Sequence, residues 1–316
     1  MKLCILSIML LPLAAAHADT FGSGANSFTI DFVTIGNAGN ADDDTGYGGV
    51  GYTYRIGVNE VSRGMINAYN TLSGVPTLTM SDMSSSGGNG VNRPASGISW
   101  NEAARFVNWL NTSKGFSAAY QFDATGFNDN IALWESGDTG YDAANPFRNA
   151  NAHYYLPSED EWYKAAYYDP NKSSGAGYWD YATGSDTVPT AVAGGTTSGT
   201  AVYNGQAGLA DIANAGGLSA YGTMAQNGNV SEWCESGSTP PNDSAGESRS
   251  LRGGNWLYNS FLLAASNRLD NSPSKEFLDV GFRVAAVPEP SAFILSLLGM
   301  ISVVTRRRRC FLPFDL

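Results

Sequence analysis

The sequence predicts an α+β fold, a single loop-rich domain with few short helices and short antiparallel strands. Three observations carry this. Helical spacing crowds the first half, short strand-like segments crowd the second, and no βαβ alternation links them. Glycine contributes 37 of 316 residues, well above the ~7% of average proteins. An aromatic content of 12% is too high for a disordered chain, so the glycines are expected in the turns of a packed body.

The elements follow in order. Phe28-Thr29-Ile30-Asp31-Phe32-Val33 and Tyr52 to Val58 alternate as half-buried strands do. Gly36 to Gly51 between them is a glycine and aspartate loop, in which Asp42, Asp43 and Asp44 are expected to be solvated. Ser62 can cap a helix running through Ala68 and Tyr69. Ser99 with Glu102 forms a capping box, after which Ala103, Phe106, Val107 and Leu110 recur at helical spacing, and Gly115 offers a stop. Ser158 with Glu161 is a second box, starting a helix that buries Trp162, Ala165 and Ala166. Ser84 to Gly90, Tyr181 to Thr200 and Glu235 to Ser248 are rich in Ser, Gly, Thr and Pro and are expected as surface insertions.

The two ends carry targeting signals, which divide the chain into a leader (1–18), a body (19–287) and a tail (288–316). Lys2, an apolar run from Leu3 to Ala16 and the small residues of Ala16-His17-Ala18 read as a secretory signal peptide. At the other end Pro288-Glu289-Pro290 precedes the mostly apolar Ser291 to Val304 and then Arg306 to Arg309. As a helix, 14 residues span about 21 Å, short of a ~30 Å hydrocarbon core, but the arginines fix that end in the cytoplasm. This arrangement resembles the PEP-CTERM sorting signal. The resemblance implies an exosortase-like processing partner, a Gram-negative-type envelope, and a tail helix inserted in the inner membrane before processing, so membrane association through Ser291–Val304 is transient. The product would reside in the cell envelope or outside the cell.

Composition excludes several chemistries. Setting aside Lys2, the four tail arginines, Glu289 and Asp315 leaves 27 acidic and 13 basic residues, a charge that repels nucleic acid and anionic lipid. The body holds one cysteine, Cys234, with Cys4 and Cys310 in the end segments, so no internal disulfide is expected. One internal histidine, His153, cannot build a His-rich metal cage or a Cys4 or Cys2His2 zinc site. Glu159, Asp160 and Glu161 fall in a first helical turn, where negative charge suits the dipole, and this structural role outweighs a catalytic pair.

Leu156-Pro157-Ser158-Glu159-Asp160-Glu161-Trp162, Gly228-Asn229-Val230-Ser231-Glu232-Trp233, Arg252-Gly253-Gly254-Asn255-Trp256 and Gly281-Phe282-Arg283 together resemble the formylglycine-generating (sulfatase-modifying factor) family. The likeness spans roughly Val33 to Ala286 and implies a C-type-lectin-like fold. It also implies structural calcium, with ligands at Gly228, Val230 and Glu232. The usual Asp or Asn three residues before Gly228 is Ala225 here. Asp211 matches a later ligand of a second site, although Ala201-Val202-Tyr203 lacks that site's first Asn. For Glu232 a buried hydrogen-bonding role is the alternative. The family's two copper-binding cysteines map onto Tyr258 and Leu263, neither a substitute for a thiolate toward Cu(I), so copper is not expected. Asn255, Trp256 and Tyr258 remain as candidate lining of a binding groove, with core packing the alternative for the aromatics. Arg252, Arg268 and Arg283 are expected to pair with carboxylates or carbonyls. The leading expectation is a non-catalytic binding module for a peptide, a glycan or matrix material. The alternatives are an oxygen-dependent oxidase acting on a protein substrate and a purely structural envelope component.

Overall fold

The computed structural model describes residues 17–73, 76–123, 131–240 and 242–288. The leader up to residue 16 and the tail from residue 289, with Ser291–Val304 and the arginine cluster, lie outside the described residues. Nine strands in two sheets and three helices position everything below. They are β1 (His17–Phe21), β2 (Phe28–Ile35), β3 (Tyr54–Gly57), α1 (Arg63–Ser73), α2 (Trp100–Ser113), β4 (Tyr154–Tyr155) and α3 (Glu159–Tyr167). The second half adds β5 (Ser231–Gly237), β6 (Arg249–Arg252), β7 (Leu269–Asn271), β8 (Val280–Gly281) and β9 (Ala285–Ala286). The architecture is the α+β arrangement that the sequence predicts.

The first sheet has the order β1-β2-β3-β9-β4, antiparallel throughout. β1 begins at His17 and pairs with β2 from His17↔Phe32 to Phe21↔Phe28. The boundary expected after Ala18 therefore falls inside this strand, beyond its first two residues, with the pairing continuing from Asp19 to Phe21. The second sheet has the order β7-β6-β5-β8, with β5 and β8 parallel.

The helices start where the local chemistry dictates. At Ser99 and at Ser158 the serine oxygen accepts the amide three residues on, and the glutamate there accepts the serine amide. Each cap contributes about 1 kcal/mol. α1 has the simpler cap, Ser62 Oγ accepting from Met65 N at 3.3 Å. α2 ends at Lys114, followed by Gly115 at φ 80°, the left-handed conformation in which glycine carries no side-chain penalty. Phe106, Val107 and Leu110 are fully buried, each worth about 1.5–3 kcal/mol in removed apolar surface. Phe106 meets Phe282 edge-on with ring centroids 5.7 Å apart. Two indoles lace α2 to β5: Trp100 Nε1 donates to the Cys234 carbonyl at 2.9 Å, and Trp233 Nε1 to the Ile98 carbonyl at 2.8 Å.

Three expectations need correction. Glu235 is not the start of a surface insertion; it lies within β5 and is buried, because the strand continues through a bulge between Trp233 and Gly237. Tyr181 to Thr200 contains a short parallel pairing, Thr190–Ala191 with Thr200–Ala201. Asp43 is only partly solvated, since its Oδ2 accepts the Tyr163 hydroxyl and its Oδ1 the Asp44 amide at 2.9 Å.

Candidate functional site

The blocks that carry the family resemblance converge on one buried ion pair. Glu232 sits on β5 in register with Gly281 of β8, which brings Arg283, two residues on, across to it. Arg283 Nε donates to Glu232 Oε2 at 2.5 Å and Nη2 to Oε1 at 2.6 Å. Its remaining donors reach the carbonyls of Gly57, Val58 and Met224 at 2.9, 3.1 and 2.8 Å. Trp162 Nε1 adds a third donor to Glu232 at 2.7 Å. Beside it Glu60 accepts from Asn229 Nδ2 at 2.7 Å and Val230 N at 3.2 Å. Burial, and then the Glu232 charge, push the Glu60 carboxyl well above its ordinary range, against the pull of Arg283.

The turn before Glu232 is fixed by backbone. Gly228 has φ 90°, and a Cβ there would stand 2.1 Å from the Val202 carbonyl oxygen. Asn229, also left-handed at φ 58°, bridges Glu60 through Nδ2 and accepts the Ala210 amide at 2.9 Å. Ala225 stands at φ 66°, where an Asn or Asp would be more at ease.

For calcium this geometry is unfavourable at Glu232. Both carboxylate oxygens are taken, two of the three donors belong to a guanidinium, and a dication there would face Arg283 directly. The buried hydrogen-bonding alternative describes Glu232 as found. Gly228 donates its amide to the Gly253 carbonyl at 2.8 Å, and Val230 donates to Glu60 as above. Asp211 is on a separate loop, 47% exposed and paired with Arg93 at 3.3 Å. Among the described residues no group of three or more His, Cys, Asp or Glu is placed to hold a metal ion.

The groove residues separate into buried and exposed. Asn255 is buried: its Nδ2 donates to Ser231 Oγ at 3.1 Å and Asp279 Oδ2 at 2.9 Å, while its Oδ1 accepts the amides of Leu257 at 3.1 Å and Tyr258 at 3.3 Å. That Asx turn folds the chain inward before it and outward after it. Trp256 is buried too, packed with Val202, Leu209 and Val230, and its indole N–H has no acceptor. Only Tyr258, 50% exposed, stands on the surface, next to exposed Leu257 and Phe261. Asn255 and Trp256 therefore do not line a groove.

Leu263 is fully buried against Ala201 and Tyr203, so one of the two positions onto which the resemblance maps the copper cysteines is an alkyl group sealed in the core. The other is a half-exposed phenol. This donor set does not fit Cu(I). Cys234 offers no replacement: it lies in a separate buried cluster with Trp162 and Tyr167, and burial pushes its thiol well above the ordinary value, away from the thiolate that binds metals.

Two further arginine centres belong to the polar interior. Glu159, at the start of α3, accepts from Arg252 Nε at 2.7 Å and from Arg268 Nε and Nη2 at 2.7 Å each. On the other face of the same turn Glu161 accepts the hydroxyls of Tyr52 at 3.0 Å and Tyr155 at 3.2 Å. Glu235 accepts Tyr120 Oη at 2.6 Å and Asn145 Nδ2 at 2.5 Å. Arg148 stands between the two carboxylates, 3.9 Å from Glu161 and 3.5 Å from Glu235. In the sequence this centre leaves one signal, a pair of glutamates, of which Glu161 reads as a cap and Glu235 as part of a loop.

The family model for the sulfatase-modifying factor enzyme 1-like domain matches residues 23–287. Among curated proteins none matches the chain. Among solved structures, Treponema denticola variable protein 1 is 22% identical with a TM-score of 0.55, covering 86% of this chain and 99% of that one. The structure titled CarF is 20% identical with a TM-score of 0.56, covering 82% and 99%. PvdO from Pseudomonas aeruginosa is 17% identical with a TM-score of 0.51, covering 85% and 98%. At these identities the likeness speaks for the fold, and the family match, which spans most of the chain, speaks for descent: the protein belongs to the sulfatase-modifying factor enzyme 1-like domain family.

Proposed function

We propose that this chain is an exported, non-catalytic member of its family, a binding module of the cell envelope or the extracellular space. The observation that carries the reading is the pair Tyr258 and Leu263, a phenol at the surface and an alkyl side chain in the core, where the family resemblance implies two thiolates. Neither side chain is a soft donor of the kind Cu(I) prefers, which supports the reading that these two positions do not activate oxygen through copper. The leader and the Pro-Glu-Pro tail support export followed by exosortase-like processing. Among the described residues no helix is long and apolar enough to cross a membrane, so anchoring before processing rests on Ser291–Val304. The acidic body keeps nucleic acid out of consideration as a ligand.

The test is direct. The purified chain, incubated with copper, oxygen and a Cys-x-Pro-x-Arg peptide, should retain no stoichiometric copper and yield no aldehyde by mass spectrometry. Aldehyde formation that depends on bound copper would establish the oxidase alternative instead.

A further inference from the structure

The Arg148 centre opens onto a cavity of about 390 Å³ whose wall includes Tyr52, Asp142, Asn145, Arg148, Tyr155 and Pro288. Most of its polar groups are already matched. Glu161 holds two tyrosine hydroxyls and the Ser158 amide at 2.7 Å, and Glu235 holds Tyr120 and Asn145. Burial pushes the Tyr52, Tyr120 and Tyr155 hydroxyls upward, with the glutamate charges adding to it, so they stay protonated as donors. Every oxygen of the two carboxylates thus already accepts at least one hydrogen bond, and Arg148 beside them opposes a cation.

Two groups are not matched. Asn145 Oδ1 is buried with no hydrogen-bond partner, and its orientation is fixed because Nδ2 is committed to Glu235. Arg148 touches its two glutamates only at 3.5 and 3.9 Å, beyond hydrogen-bond range. Its guanidinium lies over the Tyr155 ring at 3.9 Å, and its side chain is 18% exposed. The Arg148 amide donates to the Asn145 carbonyl at 3.2 Å, so one tight turn presents a buried lone acceptor and a set of unspent donors together. Leaving the buried Asn145 Oδ1 unmatched is unfavourable. A ligand that offers both a donor and an acceptor recovers this, and a hydroxyl does both.

The charge narrows the class. Arg148 stands beside Glu161 and Glu235, and Asp142 lies on the cavity wall, a negative balance that disfavours an anionic ligand even though Arg148 alone would attract one. At the rim Tyr52 is 49% exposed, an aromatic ring against which the C–H face of a sugar can lie. The volume falls at the small end of ligand pockets and suits a ring-sized unit better than an extended peptide.

We propose that this cavity binds a neutral saccharide residue, with paired hydroxyls meeting Arg148 and Asn145 and the ring lying on Tyr52. The proposal gives the binding module of the preceding section its ligand class and rests on that reading. The two fail separately, since absence of sugar binding leaves the aldehyde test untouched.

The experiment titrates the full chain with D-glucose, D-galactose and N-acetyl-D-glucosamine, with D-glucuronate as the anionic comparator, followed by ligand-observed NMR. At least one neutral sugar should saturate with a millimolar-range Kd, the strength of a few contacts to a small ring, and glucuronate should bind about tenfold more weakly. Tyr52→Ala and Asn145→Ala should each weaken binding about fivefold, whereas Tyr52→Phe, which keeps the ring, should stay within about twofold. If Asn145→Ala does not fold, the rim variant Tyr52→Ala decides. Saturation by no neutral sugar up to ~50 mM, glucuronate binding as tightly as the neutral sugars, or binding unchanged in Tyr52→Ala would each overturn the proposal.

Discussion

At residue scale, two neighbouring positions in the turn before Glu232 have the same backbone conformation and opposite tolerance. Gly228 at φ 90° has no room for a Cβ, while Ala225 at φ 66° already carries one. Gly228→Ala should lose about 3 kcal/mol, combining left-handed strain with a clash against the Val202 carbonyl. Ala225→Gly should be near neutral, because the relief of about 1 kcal/mol of strain offsets the ~0.8 kcal/mol of a buried methyl group. Chemical denaturation of both variants checks this, and equal losses would contradict it. Glu60 gives a pH signature. Its carboxyl is raised on folding, so the native state holds a proton that the unfolded chain releases from about pH 4.5. Its contribution is complete below that value and is lost as pH rises through the higher folded one. The melting temperature of Glu60→Gln relative to the parent should therefore climb between pH 5 and pH 9. A flat or falling difference would show that Glu60 is not the strained acid the geometry indicates.

At the scale of elements, α3 is the joint between the two sheets. Its first turn carries Glu159 toward Arg252 and Arg268, and Glu161 toward the Arg148 cavity. Removing Glu159 leaves one fully buried and one largely buried guanidinium without a carboxylate, so Glu159→Ala should cost about 3–5 kcal/mol, measurable by urea unfolding. A cost below about 1 kcal/mol would mean that the carbonyls around Arg252 and Arg268 suffice alone. The start of α3 was legible in the sequence because a capping box is complete within four residues. What its glutamates do was not, since Arg252 and Arg268 stand 93 and 109 residues away. β5 left its Glu232–Trp233 motif in the sequence but no strand pattern, and its bulge further breaks the alternation that marks a strand.

At the scale of the whole molecule, the family blocks revealed the fold because they are the contacts that close it: Gly281-Phe282-Arg283 reaches Glu232, and the Asn255 turn reaches Ser231. The parallel pairing of β5 with β8 and the late insertion of β9 between β3 and β4 leave no local trace, since each joins segments far apart in the chain. For the candidate sites, the absence of two thiols was readable residue by residue. The burial of Asn255 and Trp256 was not, because polar and aromatic residues look alike at a groove and in a core. Nor was the cavity at Arg148, assembled from four separate stretches.

One guanidinium joins the first strand of the described body to the residue after its last. Arg55 pairs with Asp19 at 3.1 Å and donates from Nε to the Val287 carbonyl at 3.0 Å, so entry and exit of the body share a single point on the first sheet. Asp19 and Val287 therefore leave the body at the same corner, so a segment joined at either one would start from that corner. A circular permutant that joins the ends through a short flexible linker and opens the exposed turn between Ser174 and Gly175 should fold with native-like secondary structure and a melting temperature within about 5 °C of the parent, a tolerance expected where termini are adjacent. Failure of that permutant, with an otherwise identical one opened elsewhere on the surface also unfolded, would mean that the ends are not neighbours in solution.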